Sequence, residues 1–159
     1  MNKKKSEINI TKSPLETQKL AGDFAMLLGN NVVSLYGEMG SGKTTFVQGL
    51  ALGLGIKRRI VSPTFILVRE YKLKTSRFAE ASLDKQNSKS FYHIDLYRTE
   101  TIDDIKGLGI DEIIAKGNNI VAIEWAEKIK NLLPKERVDV YFEYLDENRR
   151  RIVINRHNF

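Results

Sequence analysis

The stretch Gly37-Glu38-Met39-Gly40-Ser41-Gly42-Lys43-Thr44 carries the residue types that bind nucleotide phosphates. It matches the pattern G-x-x-x-x-G-K-[ST], in which glycines let successive backbone N–H groups face phosphate oxygens. Lys43 is expected to neutralise the β and γ phosphates, and the Thr44 hydroxyl to bind Mg²⁺. A strand precedes the stretch and a helix follows it, so the positive end of that helix also favours an anion. We therefore predict a phosphate-binding loop, with Thr45 beside it.

A carboxylate stands at the end of the most apolar run in the chain, at Glu124. A continuous apolar run predicts a strand buried on both faces. The C-terminal end of such a strand opens into the crevice where open α/β sheets hold ligands. Glu124 is therefore expected to bind Mg²⁺ or to orient a water molecule. The alternative is an acidic residue at a strand end in solvent.

A second carboxylate, Asp95, lies in the extended stretch 90–98. Strand alternation places His93, Asp95 and Tyr97 on one face, and polar residues inside an apolar strand need partners. Asp95 is interpreted as a sensor of the γ-phosphate or as the residue that positions the attacking water. The alternative is a surface aspartate with its hydrogen bonds satisfied. His93 is as readily a structural histidine as a catalytic one.

A further segment and the tryptophan are candidates for the same site. The segment Ser62-Pro63-Thr64-Phe65 lies where phosphate-binding switches place a hydroxyl near the γ-phosphate. Thr64 is the candidate, and a turn built on Ser62-Pro63 is the alternative. Trp125, the single tryptophan, either lines the site or is a core or partner-facing aromatic.

The elements that must position these residues are a series of helices and strands. Ser13, Pro14 and Glu16 predict a helix N-terminus, and the chain ends in a predicted hairpin around residues 146–148. Helices interleaved with apolar strands predict an α/β fold. The expected architecture is a P-loop NTPase-like sandwich, a mixed sheet with helices on both faces and antiparallel hairpins.

Length and composition define the class of protein. A chain of 159 residues suits a single domain, with residues 1–9 expected to be flexible. The polar segment 73–89 is either a mobile loop or a family-specific insertion. The net charge of +6 indicates an acidic partner such as nucleic acid, or a solvated basic surface. The chain has no cysteine, so no disulfide partner is expected, and no stretch reaches the ~18 apolar residues of a membrane span.

Taken together, five stretches resemble the TsaE family, formerly called YjeE. These are GEMGSGKTTFVQGL, VSPTFILVREY, FYHIDLYR, GIDEI and AIEWAEK, in that order. The family consists of bacterial ATPases of tRNA threonylcarbamoyladenosine synthesis. The resemblance runs from about Ile10 to Ile154.

The resemblance implies a site, cofactors and partners. Thr44 and Glu124 would serve Mg²⁺, the Ser62–Thr64 and His93–Arg98 segments would act as switches, and Asp95 would be needed for turnover. Adenine of ATP or ADP would lie between Thr11–Ser13 and the C-terminal hairpin near Arg149. The partners would be TsaB and TsaD, with tRNA reached through that complex, in the cytoplasm.

Two other classes share the phosphate-binding loop. A small-molecule kinase would need a lid that carries arginines, and Arg77 is the nearby candidate. A non-catalytic adaptor would need bound ATP but not its hydrolysis. The chain contains no Asn-Lys-x-Asp motif for guanine, which favours ATP over GTP.

Overall fold

A computed structural model describes residues 5–29, 31–61, 67–73 and 89–157 of the chain. The strands are β1 Lys5–Thr11, β2 Val32–Tyr36, β3 Val68–Lys72, β4 Ser90–Asp95, β5 Ile120–Glu124, β6 Arg137–Tyr144 and β7 Arg150–His157. The α-helices are α1 Pro14–Ala25, α2 Lys43–Gly53, α3 Ile102–Lys106 and α4 Ile110–Ala115, and a 3₁₀ segment spans Ala126–Leu132. Residues 62–66 and 74–88 lie outside the described residues. These include Ser62, Thr64 and Arg77 and most of the predicted long loop.

The strands of the described part form one seven-stranded mixed sheet in the order β1-β7-β6-β2-β5-β4-β3. Strand β2 pairs in parallel with β5 and β6, and β4 pairs in parallel with β5. The pairs β1–β7, β6–β7 and β3–β4 are antiparallel. The predicted α/β sandwich with antiparallel hairpins is therefore confirmed.

The N-terminal segment corrects one prediction. Residues 5–9, expected to be flexible, belong to β1 and pair with β7 from Lys5 opposite Arg156 to Thr11 opposite Arg150. The physical reason is that the free edge of β7 offers backbone hydrogen-bonding groups that β1 satisfies.

One face of the sheet is covered by α1 and α2. Phe24, Phe46 and Leu50 pack there on the inward residues of the central strands. The two helices touch through backbone at Gly49, where an added Cβ would lie 2.3 Å from the Gln18 carbonyl oxygen. Only glycine permits this approach, which sets the position of α2 and of the loop before it.

The opposite face is covered by α3, α4 and the 3₁₀ segment. Val121 and Ile123 of β5 pack there against Ile105, Ile110 and Ile129. Because β5 has helices on both faces, all five of its residues are buried. Its parallel neighbours β2 and β4 end at the same edge of the sheet, so the residues that follow these strands meet there.

Candidate functional site

The glycine-rich loop joins β2 to α2 and has the backbone that its glycines permit. Gly40 and Gly42 have φ values of 74° and 105°, in the left-handed region that favours glycine. At Gly37 an added Cβ would lie 2.7 Å from the Phe142 carbonyl oxygen and 2.8 Å from Ser41 Oγ. The loop is thus folded tightly against β6 and leads directly into the N-terminus of α2.

Lys43, the first residue of α2, is 4% exposed. Its Nζ donates hydrogen bonds to the carbonyl oxygens of Gly37 at 2.6 Å and Glu38 at 2.8 Å. The same Nζ lies 4.2 Å from the centroid of the Trp125 ring. Burial lowers the pKa of Lys43, and the negative charge of Glu124 acts against this shift. The ammonium group therefore bridges the two ends of the loop and faces the site.

Glu124 ends β5 and is 2% exposed, so the alternative of an acidic residue at a strand end in solvent is excluded. Thr44 Oγ1 lies 3.0 Å from Glu124 Oε1 and 2.9 Å from Oε2, and donates to the carboxylate. His93 Nε2 lies 2.8 Å from Oε1. The carboxylate is therefore held by side chains from both α2 and β4.

His93 is fully buried. Its Nδ1 is also buried and has no hydrogen-bond partner. A proton on Nδ1 would thus be a buried donor without an acceptor, which is costly. The neutral form with its proton on Nε2 places that N–H against Glu124. His93 thus serves as a donor that orients this carboxylate.

Asp95 stands directly opposite Glu124 in the parallel pairing of β4 with β5. It is 7% exposed, and its Oδ1 accepts the backbone N–H of Tyr97 at 3.0 Å. The predicted alternation is confirmed, because His93 and Asp95 face the site while Ile94 and Leu96 belong to the core of the other face.

The loop and the two carboxylates enclose one cavity. It is lined by Met39, Gly40, Gly42, Lys43, Thr44, Thr45, Asp95, Tyr97, Glu124 and Trp125. The structure thus brings together most of the loop residues predicted to bind phosphate with the residues predicted at the ends of β4 and β5.

Trp125 lines this cavity and also packs against the core cluster that contains Val121 and Ile123. It has a φ of 60° and is the one non-glycine residue with positive φ in the described ranges. For a bulky residue this conformation costs about 1–3 kcal/mol and is typical of functional sites. The ring is fixed between Lys43 and Tyr97, whose ring centroid lies 5.3 Å away.

The residues predicted to hold adenine lie at the β1–β7 side. Thr11 Oγ1 and Thr17 Oγ1 are 2.8 Å apart, and Ser13 Oγ accepts the Glu16 N–H at the start of α1. Glu16 binds the N–H of Lys12 rather than that of Ser13, so the predicted reciprocal cap is shifted by one residue. Both hydroxyls therefore serve protein contacts.

Arg150, which was not predicted, contacts the phosphate-binding loop. Its Nη2 lies 3.4 Å from the Gly40 carbonyl oxygen, and its guanidinium carbon lies 4.3 Å from the Tyr144 ring centroid. Arg149 instead pairs with Asp146 at 2.6 Å. The alternation of β7 indicates that position 150 shares a face with the buried Ile152, but it does not reveal the contact with Gly40.

Metal binding can be tested against the donors present. Across the residues that the structure describes, no group of three or more His, Cys, Asp or Glu side chains could hold a metal ion. Thr44 and Glu124 do offer a hydroxyl and a carboxylate side by side. Oxygen donors of this kind suit Mg²⁺, which keeps water and substrate phosphates as its other ligands. The residues present therefore fit Mg²⁺ bound together with a nucleotide.

Among the described helices, none has both the length and the apolar character needed to cross a membrane.

Known proteins are similar to this chain in sequence and in fold. The family model of the threonylcarbamoyl adenosine biosynthesis protein TsaE matches residues 11–152. The tRNA threonylcarbamoyladenosine biosynthesis protein TsaE of Bacillus subtilis is 36% identical over 145 residues, covering 89% of this chain and 80% of the relative. The protein of that name from Rickettsia felis is 40% identical over 137 residues, covering 85% and 71%. The crystal structure of Bacillus subtilis YdiB superposes with a TM-score of 0.71 at 28% identity, covering 99% of this chain and 90% of that one. The chain therefore belongs to the TsaE family of threonylcarbamoyl adenosine biosynthesis proteins.

Proposed function

We propose that the chain binds and hydrolyses ATP as the nucleotide-dependent component of tRNA threonylcarbamoyladenosine synthesis, acting on a TsaB–TsaD pair in the cytoplasm. The observation that carries this proposal is the single cavity that Lys43 and Thr44 share with Asp95 and Glu124. A cation and a hydroxyl at the start of α2, opposite two carboxylates, are the groups that phosphoryl transfer from ATP requires.

Mg²⁺ would be held by Thr44 and Glu124 and would neutralise charge on the β and γ phosphates. His93 keeps the Glu124 carboxylate turned towards Thr44, because its Nε2 lies 2.8 Å from Oε1. Because the carboxylate is buried, it is already oriented when a nucleotide arrives.

The remaining chemistry is assigned to Lys43 and Asp95. Lys43 would exchange part of its bonding to loop carbonyls for phosphate oxygens, to which it binds as a charge-assisted donor. Asp95 would orient the attacking water or sense the γ-phosphate, since it lines the same cavity. In this proposal Lys43 would neutralise phosphate charge at one wall of the cavity, and Asp95 would position the attacking water at the other wall.

A partner is expected to complete this site. Lys43 is the one cationic side chain among the described residues that line the cavity, and hydrolysis in P-loop proteins gains greatly from an arginine at the γ-phosphate. Arg98 follows Tyr97 in the turn after β4 but does not line the cavity. ATP can bias docking of the partner only through contacts that differ between the ATP-bound and the ADP-bound protein. The turns after β4 and β5 carry Tyr97 and Trp125, which line the cavity, so such differences would arise there.

The test measures phosphate release from ATP and from GTP, with and without the cognate TsaB–TsaD pair. We expect slow release by the isolated chain, marked stimulation by the pair, and preference for ATP. Stimulated binding of ATP without hydrolysis would instead indicate the non-catalytic adaptor. Release of ADP only when a metabolite is added would indicate a kinase.

Lys43→Ala provides the matched test of the nucleotide site. Loss of the buried ammonium should weaken ATP binding at least about tenfold, or ~1.4 kcal/mol, as expected for a charge-assisted contact. Lys130→Ala, an exposed lysine of the 3₁₀ segment, is the control and should bind normally. Calorimetry that shows unchanged ATP binding in Lys43→Ala would refute the assignment.

A further inference from the structure

Lys128 lies in the 3₁₀ segment after β5, and its ammonium group is bound by a different part of the chain. Its Nζ donates hydrogen bonds to the carbonyl oxygens of Leu96, Tyr97 and Thr99 at 2.8, 2.8 and 2.7 Å. These bonds use all the N–H donors of a lysine ammonium. Holding a long lysine side chain in one place costs conformational entropy, which these three hydrogen bonds offset.

The bound carbonyls belong to the turn Leu96–Thr99, which directly follows Asp95. Inside the turn, the Thr99 N–H and hydroxyl both donate to the Leu96 carbonyl oxygen, at 3.1 and 2.7 Å. The turn also donates the Tyr97 N–H to Asp95 Oδ1 at 3.0 Å. The direction of the Asp95 carboxylate therefore depends on the conformation of the turn.

Carbonyl oxygens that converge on one point repel each other unless a cation lies between them. Protein sites for metal cations are commonly built from such oxygens. Here the Lys128 ammonium occupies that position as a cation tethered to the neighbouring segment. The backbone N–H of Lys128 donates to the Trp125 carbonyl oxygen at 3.1 Å, so the tether begins close to the other wall of the cavity.

We propose that Lys128 is a positioning residue that fixes the turn after β4 against the segment after β5. Through this link it holds Asp95 and Tyr97 in place relative to Glu124 and Trp125. The effect of Lys128 on turnover rests on the proposed ATP hydrolysis. Its effect on the geometry of the turn is independent of hydrolysis and can be measured in the nucleotide-free protein.

Trp125 supplies the structural readout. It is the only tryptophan of the chain, and its ring centroid lies 5.3 Å from that of Tyr97. A displaced turn would move Tyr97 away from the Trp125 indole and expose the indole to solvent. The emission maximum of Trp125 and its quenching by acrylamide therefore report on the turn directly.

The experiment compares Lys128→Met, which keeps most of the length of the side chain but has no donor, with Lys130→Met. The control residue is an exposed lysine two positions further along the same segment. In Lys128→Met we expect red-shifted emission, stronger acrylamide quenching and a fall of about tenfold in stimulated kcat, because small misplacements of reacting groups are costly. The KM for ATP should change by less than about twofold, as expected when only the transition state is affected.

Chemical rescue separates the missing donor from a general loss of packing. In Lys128→Ala, ethylammonium can enter the carbonyl cluster and donate hydrogen bonds, whereas tetramethylammonium carries the same charge without a donor. Restored Trp125 emission with ethylammonium alone supports the proposal. Equal effects of the two ions, or a Lys128→Met protein that matches Lys130→Met in emission, would overturn it.

The two proposals fail in different ways. If the wild-type protein shows no stimulated hydrolysis, the proposed function is wrong, while the fluorescence and rescue measurements still decide the role of Lys128. If hydrolysis is stimulated normally in Lys128→Met, the proposed function stands and the positioning role is refuted. Chemical denaturation of each variant identifies any general loss of folding.

Discussion

Asp95 and Glu124 end neighbouring parallel strands and are partners in the same register, yet they are held in different ways. Glu124 accepts hydrogen bonds from Thr44 of α2 and His93 of β4. Asp95 accepts the N–H of Tyr97, in the turn that follows β4. Glu124 is thus contacted by side chains of two distant elements, whereas Asp95 is linked to the backbone of the adjacent turn.

This difference indicates a division of roles. A carboxylate that is oriented by packed elements suits a ligand whose position should not change, such as Mg²⁺ with its strict coordination geometry. A carboxylate that is hydrogen-bonded to a turn can respond to the γ-phosphate or to a partner that moves the turn. The contrast predicts that substitutions at the two positions affect binding and turnover differently.

The largest effect is expected for Glu124→Gln, which keeps the shape of the side chain and removes its charge. Stimulated phosphate release should fall by about 10³-fold, because the loss affects charge stabilisation at the phosphates. ADP affinity in the presence of Mg²⁺ should fall by much less, since the loop contacts remain. Glu136→Gln, at an exposed position, is the control. Turnover within twofold of wild type would mean that Glu124 is only a buried strand end.

Asp95→Ala comes second, with an expected loss of about 10²-fold in the stimulated rate, the usual contribution of a group that positions or activates water. ATP and ADP affinities should stay close to those of wild type, because Asp95 acts only when the γ-phosphate reacts. The measurement is phosphate release at saturating ATP, with and without the partner pair. Normal stimulation would remove Asp95 from the mechanism and with it the division of roles.

The sequence predicted those parts of the fold that depend on local pattern. Helix α1 begins at Pro14 after the N-cap Ser13, and β5 ends at Glu124, both as predicted, because a helix cap and a continuous apolar run are local patterns. Strand β1 was missed since its apolar residues Ile8 and Ile10 are 58% and 50% exposed. An edge strand that buries little carries a weak pattern.

In the site, too, features formed by contiguous residues could be predicted from the sequence, and contacts between distant residues could not. The glycine loop was predictable because its residues are contiguous. The contact of His93 with Glu124 follows from the order β2-β5-β4 in the sheet, and spacing along the chain does not reveal which strands become neighbours. Arg150 and Lys128 were missed for the same reason, since each acts on carbonyl groups far away in sequence.

The smallest effect is expected at His93, and it tests how Glu124 is fixed. His93→Gln places an amide nitrogen near the position of Nε2, whereas His93→Asn places one near that of Nδ1. Only the glutamine can replace the donor to Glu124. We therefore expect the Mg²⁺ requirement for nucleotide binding to rise about tenfold in His93→Asn, the lower range for loss of an outer-shell partner of a metal ligand. In His93→Gln it should rise much less.

The pair is matched in the ways that matter. Both variants leave amide groups in a site that is fully buried, so both should lose stability by about 1–3 kcal/mol from unsatisfied polar atoms. Denaturant unfolding measures that shared loss, and titration of ADP binding with Mg²⁺ measures the difference. Equal Mg²⁺ requirements in the two variants would show that His93 only fills space. The contact with Thr44 of α2 would then be the one described contact left to orient Glu124, and the contrast with Asp95 would rest on it.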